Sequence, residues 1–166
     1  ASVLLFSGLY LYDAVRHRAE IPKLEDQALH MRISGVFWAA HMIQDHRLFG
    51  VGPGQFVSNI ERYAGNLPEI WMYQPVHSLY ALIASEYGIL GLIGFLFFIG
   101  FVIRSWRMHA NRPIIPITIL ASVLFLGFFD HYFFTFPQGM ILFWLSIAFM
   151  LQSDRENTNA KQIYKL

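Results

Sequence analysis

With 166 residues, 55% of them hydrophobic and 14% charged, the chain carries far fewer charges than the roughly one quarter usual in soluble domains. Its 16 Phe, 8 Tyr and 4 Trp and its mean hydropathy of +0.42 point the same way, to a membrane protein. A net charge of +1 is uninformative about nucleic acid and no basic run interleaved with aromatics points to such a partner, so none is expected, while zero cysteines exclude disulfides and thiolate metal sites.

Residues 1–12, ASVLLFSGLYLY, are apolar but reach only ~18 Å as a helix, short of a ~30 Å hydrocarbon core. They lack the basic start and small-residue cleavage site of a signal peptide. They read as the end of a truncated transmembrane helix, which makes the chain a C-terminal fragment of a longer membrane protein. Residues 13–78 form a long polar connector whose charges exclude it from hydrocarbon. Within it Ile33, Val36, Phe37, Ala40 and Ile43 recur at helical spacing and predict an amphipathic helix near 31–47. The glycines and proline of GVGPG end it, and a second short helix is expected near 55–63. GNLPEIWMYQPV then reads as a loop, with Trp71 and Tyr73 suited to an interface.

From Leu79 to Ile103 the chain is apolar for about 25 residues, ~37 Å of helix, enough to cross a bilayer with some tilt. Residues 79–151 are expected to hold three transmembrane helices, with a basic turn at 104–112. FDHYFFTFPQG offers two places to turn, Asp130–Tyr132 or Thr135–Gly139. The second is preferred, because Pro137 suits a first helical position. Residues 152–166 form a polar tail. The fold class is therefore all-α, a polytopic transmembrane helical protein with short amphipathic helices in one long loop. The 104–112 turn has three arginines and no acid, and the tail has three basic residues. Both are assigned to the cytoplasm, and the connector with His77 to the opposite side.

Polar residues at the membrane edge carry the chemistry. His77 stands at the mouth of the long span, where the positive helix terminus favours a neutral imidazole, the form a general base needs. Ser78 suits the N-cap of the same helix. Arg32, at a helix start where the dipole disfavours a cation, suits an anionic headgroup, since guanidinium grips phosphate oxygens bidentately. GVGPGQF reads as a tight reversal or a phosphate cradle through Gly52 and Gly54. Gly88, Gly91 and Gly94 read as a close-packing helix face. Glu86, inside the span, must be paired, protonated or facing a wet cavity. Asp130 and His131 line the same cavity as His77 or cap a turn. His41, Asp45 and His46 are a weak metal candidate, since one helix face offers only His41 and Asp45.

The order of these pieces resembles a known family. Arg32 is followed by Trp38 to Phe56 (WAAHMIQDHRLFGVGPGQF), a loop, and a histidine-led helix. His77-Ser78, nine residues, then Gly88-x-x-Gly91 matches the His-[Asn/Ser/Arg]-x9-Gly-x-x-Gly signature of the O-antigen ligases. The resemblance, to the O-antigen ligase and polymerase family of bacterial envelope glycosyltransferases, covers residues 30 to 104. Phe143 to Phe149 lend weaker support, and Arg47 stands where relatives often have proline.

The resemblance implies a metal-independent, inverting transfer without a cofactor, in the inner membrane with the active face periplasmic. The donor would be an undecaprenyl-diphosphate-linked oligosaccharide. The acceptor would be lipid A-core, another glycan or a protein hydroxyl, which leaves ligase, polymerase and protein O-oligosaccharyltransferase open. His77 and Arg32 are then the expected catalytic pair, with Gly52, Gly54, Tyr80 and Glu86 as substrate-binding positions. The fragment is expected to be inactive by itself. Two other readings remain: a transport component using Glu86, Asp130 and His131 as a polar pathway, and a structural fragment without chemistry.

Overall fold

The computed structural model describes residues 27–108 and 114–152. The expected truncated helix at 1–12, the start of the connector, part of the basic turn and the tail lie outside those residues. The described chain is helical and contains no strand. In order it forms α1 (27–45), α2 (Phe56–Ala64), a single 3₁₀ turn at Ile70–Met72, α3 (Leu79–Met108), α4 (Ile114–Leu126), the one-turn α5 (Tyr132–Thr135) and α6 (Pro137–Gln152).

Helix α1 starts at least four residues before the expected 31, which moves Arg32 out of the first turn. Its buried face does not carry its largest apolar residues. Gly35, Ala39 and Met42 are buried, whereas Ile33, Val36 and Phe37 are half or more exposed. The reason is steric. The small side chains allow close approach to the segment before α3, and a Cβ on Gly35 would already meet Val76 at 3.5 Å.

Helix α3 is the one helix among the described residues long and apolar enough to cross a membrane. It is not continuous. Gly88 has φ 71° and ψ −174°, so the helix breaks there. The break frees backbone groups that need partners outside the helix, and the turn after α1 supplies them. Ile89 N–H donates to Arg47 O at 2.8 Å, and Leu90 N–H to Leu48 O at 3.4 Å. In return Val51 N–H donates to Ser85 O at 2.8 Å and Gly52 N–H to Glu86 O at 2.9 Å. A side chain at Gly88 would strike Leu48 and Phe49, and one at Gly50 would strike Glu86. The glycine face thus packs at Gly88 on a loop, not on another helix, and Gly94 faces open space.

The break separates two apolar cores. Before it, Leu82 packs with Ala39, Met42, Phe56, Ile60 and Val76 of the connector. Beyond it, Ile99 and Val102 pack with Leu120 and Val123 of α4 and Phe143, Ile147 and Met150 of α6. Helix α4 has 13 residues and α6 has 16, or roughly 20 and 24 Å, both shorter than a ~30 Å hydrocarbon core. Pro116 is tolerated in the first turn of α4, where its missing N–H has no helical partner to lose. Both proposed turns are used. The chain reverses over 127–131, makes the single turn α5, and bends at Phe136 so that Pro137 opens α6.

Candidate functional site

Two hydrogen bonds fix the start of α3 against the end of α4. The last carbonyls of a helix lack internal partners. Here Gly127 O accepts from Leu79 N–H at 2.7 Å, and Leu124 O accepts from the Tyr80 hydroxyl at 2.7 Å. Gly127 permits the approach: a Cβ there would lie 3.0–3.2 Å from Leu79 side-chain atoms. Ser78 begins α3 as expected, its Oγ accepting from Ala81 N–H at 3.4 Å. This clamp carries His77 alongside the 127–131 reversal.

The result is a cluster of three titratable side chains. His77 Nδ1 lies 3.7 Å from Asp130 Oδ2, within ion-pair reach but beyond a hydrogen bond. That nitrogen is buried and has no hydrogen-bond partner, although the side chain as a whole is 21% exposed. The rings of His77 and His131 are 5.6 Å apart. His131 is itself buried, with Nδ1 2.7 Å from Thr135 Oγ1 and Nε2 4.0 Å from Asp130 Oδ1. Asp130 Oδ1 accepts from the His131 backbone N–H at 2.7 Å, which orients the carboxylate. Burial pushes the His131 imidazole below its ordinary range; Asp130 opposes that shift and His77 adds to it.

Arg32 is exposed on α1. It lies one turn before Gly35, whose α-carbon faces Val76, the residue before His77. The buried positions Gly35, Ala39 and Met42 recur at three and four residues, and Arg32 continues that series N-terminally.

 The full series is Arg32, Gly35, Ala39 and Met42, so Arg32 projects from the packed side of α1, one turn beyond the contact with the His77 segment.

The other expected binding positions are engaged within the chain. Glu86 is 6% exposed, and both carboxylate oxygens are used: Oε2 accepts from Gly54 N–H at 3.0 Å and Oε1 from Phe56 N–H at 3.1 Å. Glu86 thus serves as the cap of α2, whose own Gln55 makes no side-chain cap. The N–H groups of Gly52 and Gly54, the expected phosphate cradle, are taken by the carbonyl and carboxylate of this one residue. The Tyr80 hydroxyl is committed to α4. On α1, His41 Nδ1 bonds to Phe37 O at 2.8 Å, and Asp45 accepts from the Tyr63 hydroxyl at 3.0 Å. The possible metal ligands of the described chain gather at His77, Asp130 and His131 instead.

The sequence leaves Asp130 and His131 either lining the same cavity as His77 or capping a turn, and the structure places them beside His77. Their pairing with His77 depends on the clamp between Tyr80 and Leu124, 44 residues apart, which no local spacing announces.

A family model described as O-antigen ligase matches residues 1–96, more than half of the chain. No curated protein and no solved structure matches it.

Proposed function

The chain belongs to the O-antigen ligase family, and we propose from that premise that it forms part of a membrane glycosyltransferase in which His77 is the general base. The observation that carries this reading is His77 beside Asp130 at the start of the span-length helix. Its donor is a sugar chain on a lipid diphosphate, and its acceptor is a hydroxyl. A hydroxyl is a poor nucleophile until its proton is removed. With Nδ1 turned toward Asp130, His77 Nε2 takes that proton as the oxygen attacks the anomeric carbon, and the diphosphate leaves from the opposite face. Asp130 stabilises the imidazolium that forms, through charge across 3.7 Å. The His131 backbone N–H, donating to Asp130 Oδ1 at 2.7 Å, positions the carboxylate from the other side, and Thr135 anchors the His131 ring.

The departing diphosphate gathers negative charge, and Arg32 supplies a permanent cation for it. Support for this role comes from its place on the packed side of α1 and its exposure, not from a helix dipole. Glu86, Gly52, Gly54 and Gly88 act as scaffold: they join the loop after α1 to the broken helix and so set the height of α1 beside His77. The exposed Arg104 and Arg107 lie toward the other end of α3, which supports a cytoplasmic assignment for that end and a periplasmic one for His77. A transport pathway finds less support, because both oxygens of Glu86 are bonded to backbone.

The test is a substitution in the full protein, in the cells that make it. His77→Ala and Arg32→Ala should abolish surface polysaccharide at unchanged protein level. Glycan stranded on the carrier as complete chains indicates a ligase, and as single repeat units a polymerase. Normal surface polysaccharide in His77→Ala cells contradicts the proposal.

A further inference from the structure

His77, Asp130 and His131 bring two imidazoles and a carboxylate together, one ligating atom from each lying within 4.8 Å of the others. Hydrogen bonding defines what those atoms offer. Thr135 Oγ1 lies 2.7 Å from His131 Nδ1 and 3.2 Å from the His131 carbonyl oxygen, so Nδ1 is anchored and Nε2, 4.0 Å from Asp130 Oδ1, is the ring's other nitrogen. Across the gap, His77 Nδ1 is buried without a hydrogen-bond partner, 3.7 Å from Asp130 Oδ2. Two ring nitrogens and a carboxylate thus lie together. An imidazole anchored through its second nitrogen is also the arrangement that metal-ligating histidines adopt.

We propose that His77, Asp130 and His131 form a binding site for a borderline divalent cation such as Zn²⁺, with Thr135 anchoring His131 through Nδ1. Tetrahedral Zn²⁺ takes imidazole nitrogen at ~2.0–2.1 Å and carboxylate oxygen at ~2.0–2.2 Å, so neighbouring ligand atoms sit roughly 3.4 Å apart. One ligand atom from each residue lies within 4.8 Å of the others, wider than that spacing, and Asp130, 44% exposed, has room to close the difference. Two nitrogens and one carboxylate favour Zn²⁺ over Mg²⁺ or Ca²⁺, which take oxygen ligands. Three protein ligands leave a fourth position for water or a substrate oxygen.

The site itself does not rest on the transferase reading, but its consequence does. A cation on His77 Nδ1 leaves the ring proton on Nε2, the atom that has to accept a proton from the acceptor hydroxyl. The ion is then an inhibitor and not a cofactor.

The test is a Co²⁺ titration of the untagged full-length protein in detergent. The expected result is the visible absorption of a tetrahedral ion, saturating at one ion per chain and bleached by Zn²⁺. Asp130→Asn and His131→Ala should remove it, Thr135→Val should weaken binding by about 10–100-fold, and His41→Ala should leave it intact. If the variants do not fold, the wild type still decides: Zn²⁺ should protect His77 and His131, but not His41, from diethyl pyrocarbonate. Absence of the Co²⁺ band, a band surviving both Asp130→Asn and His131→Ala, or modification unaffected by Zn²⁺ overturns the proposal. Zn²⁺ bound at this site with undiminished glycan transfer supports the site and counts against His77 as the base.

Discussion

Glu86 caps a helix that begins 30 residues earlier in the chain: its Oε1 accepts from Phe56 N–H at 3.1 Å. Its other oxygen holds Gly54, and its carbonyl holds Gly52. One residue of the long apolar helix therefore organises the whole glycine-rich turn. Removing the carboxylate leaves the buried Phe56 N–H without its acceptor, at about 1–3 kcal/mol, whereas the N–H of the exposed Gly54 can turn to water. Glu86→Ala should lower thermal stability in detergent by this mechanism. Glu86→Gln should lower it less, since the amide oxygen still accepts one of the two bonds.

Gly88 and Gly94 should respond oppositely to a methyl group. At Gly88 the backbone lies in the left-handed region and a Cβ would strike Leu48 and Phe49, so Gly88→Ala should destabilise by more than ~1 kcal/mol. At Gly94 nothing lies within 4 Å, and Gly94→Ala should be neutral or stabilising by up to roughly 1 kcal/mol, through helix propensity. Thermal unfolding of the two variants side by side checks the difference. Equal losses would restore a helix-packing role for the glycine series.

Tyr80→Phe separates a structural hydroxyl from a substrate contact. Loss of the bond to Leu124 O should cost about 0.5–1.5 kcal/mol and loosen the clamp that holds His77 beside Asp130. The account expects a stability loss with donor KM unchanged. A raised KM at unchanged stability would return Tyr80 to the substrate site.

Arg32→Lys keeps the charge but loses the planar fork. It should retain more transfer activity than Arg32→Ala and less than the wild type, measured as glycan transferred per folded protein. Equal activity in all three would remove Arg32 from the reaction.

Much of this arrangement was legible in the residues, and what was not has physical reasons. The apolar run after Ser78, the short helix after GVGPG and the start of α6 at Pro137 follow from local patterns. The break at Gly88 does not, because a glycine within an apolar helix is equally compatible with unbroken packing. Only the loop docked against it makes the left-handed conformation favourable. The amphipathic pattern of α1 does not say which face is buried within the protein: the larger Ile33, Val36 and Phe37 are exposed, while Gly35 and Ala39 are buried. Close approach to Val76 selected size over hydrophobicity. Asp130 and His131 were legible as polar residues at one membrane edge, but their junction with His77 is tertiary.

The central claim is that the His77 imidazole takes the acceptor's proton. The most direct measurement is the transfer rate of purified full-length protein, with saturating lipid-linked donor, for wild type, His77→Ala and Asp130→Asn at matched folded fractions. The account predicts a fall of about 10²–10⁴-fold for His77→Ala and a smaller fall for Asp130→Asn, with donor binding retained in both. Transfer by His77→Ala within a few-fold of wild type would contradict it.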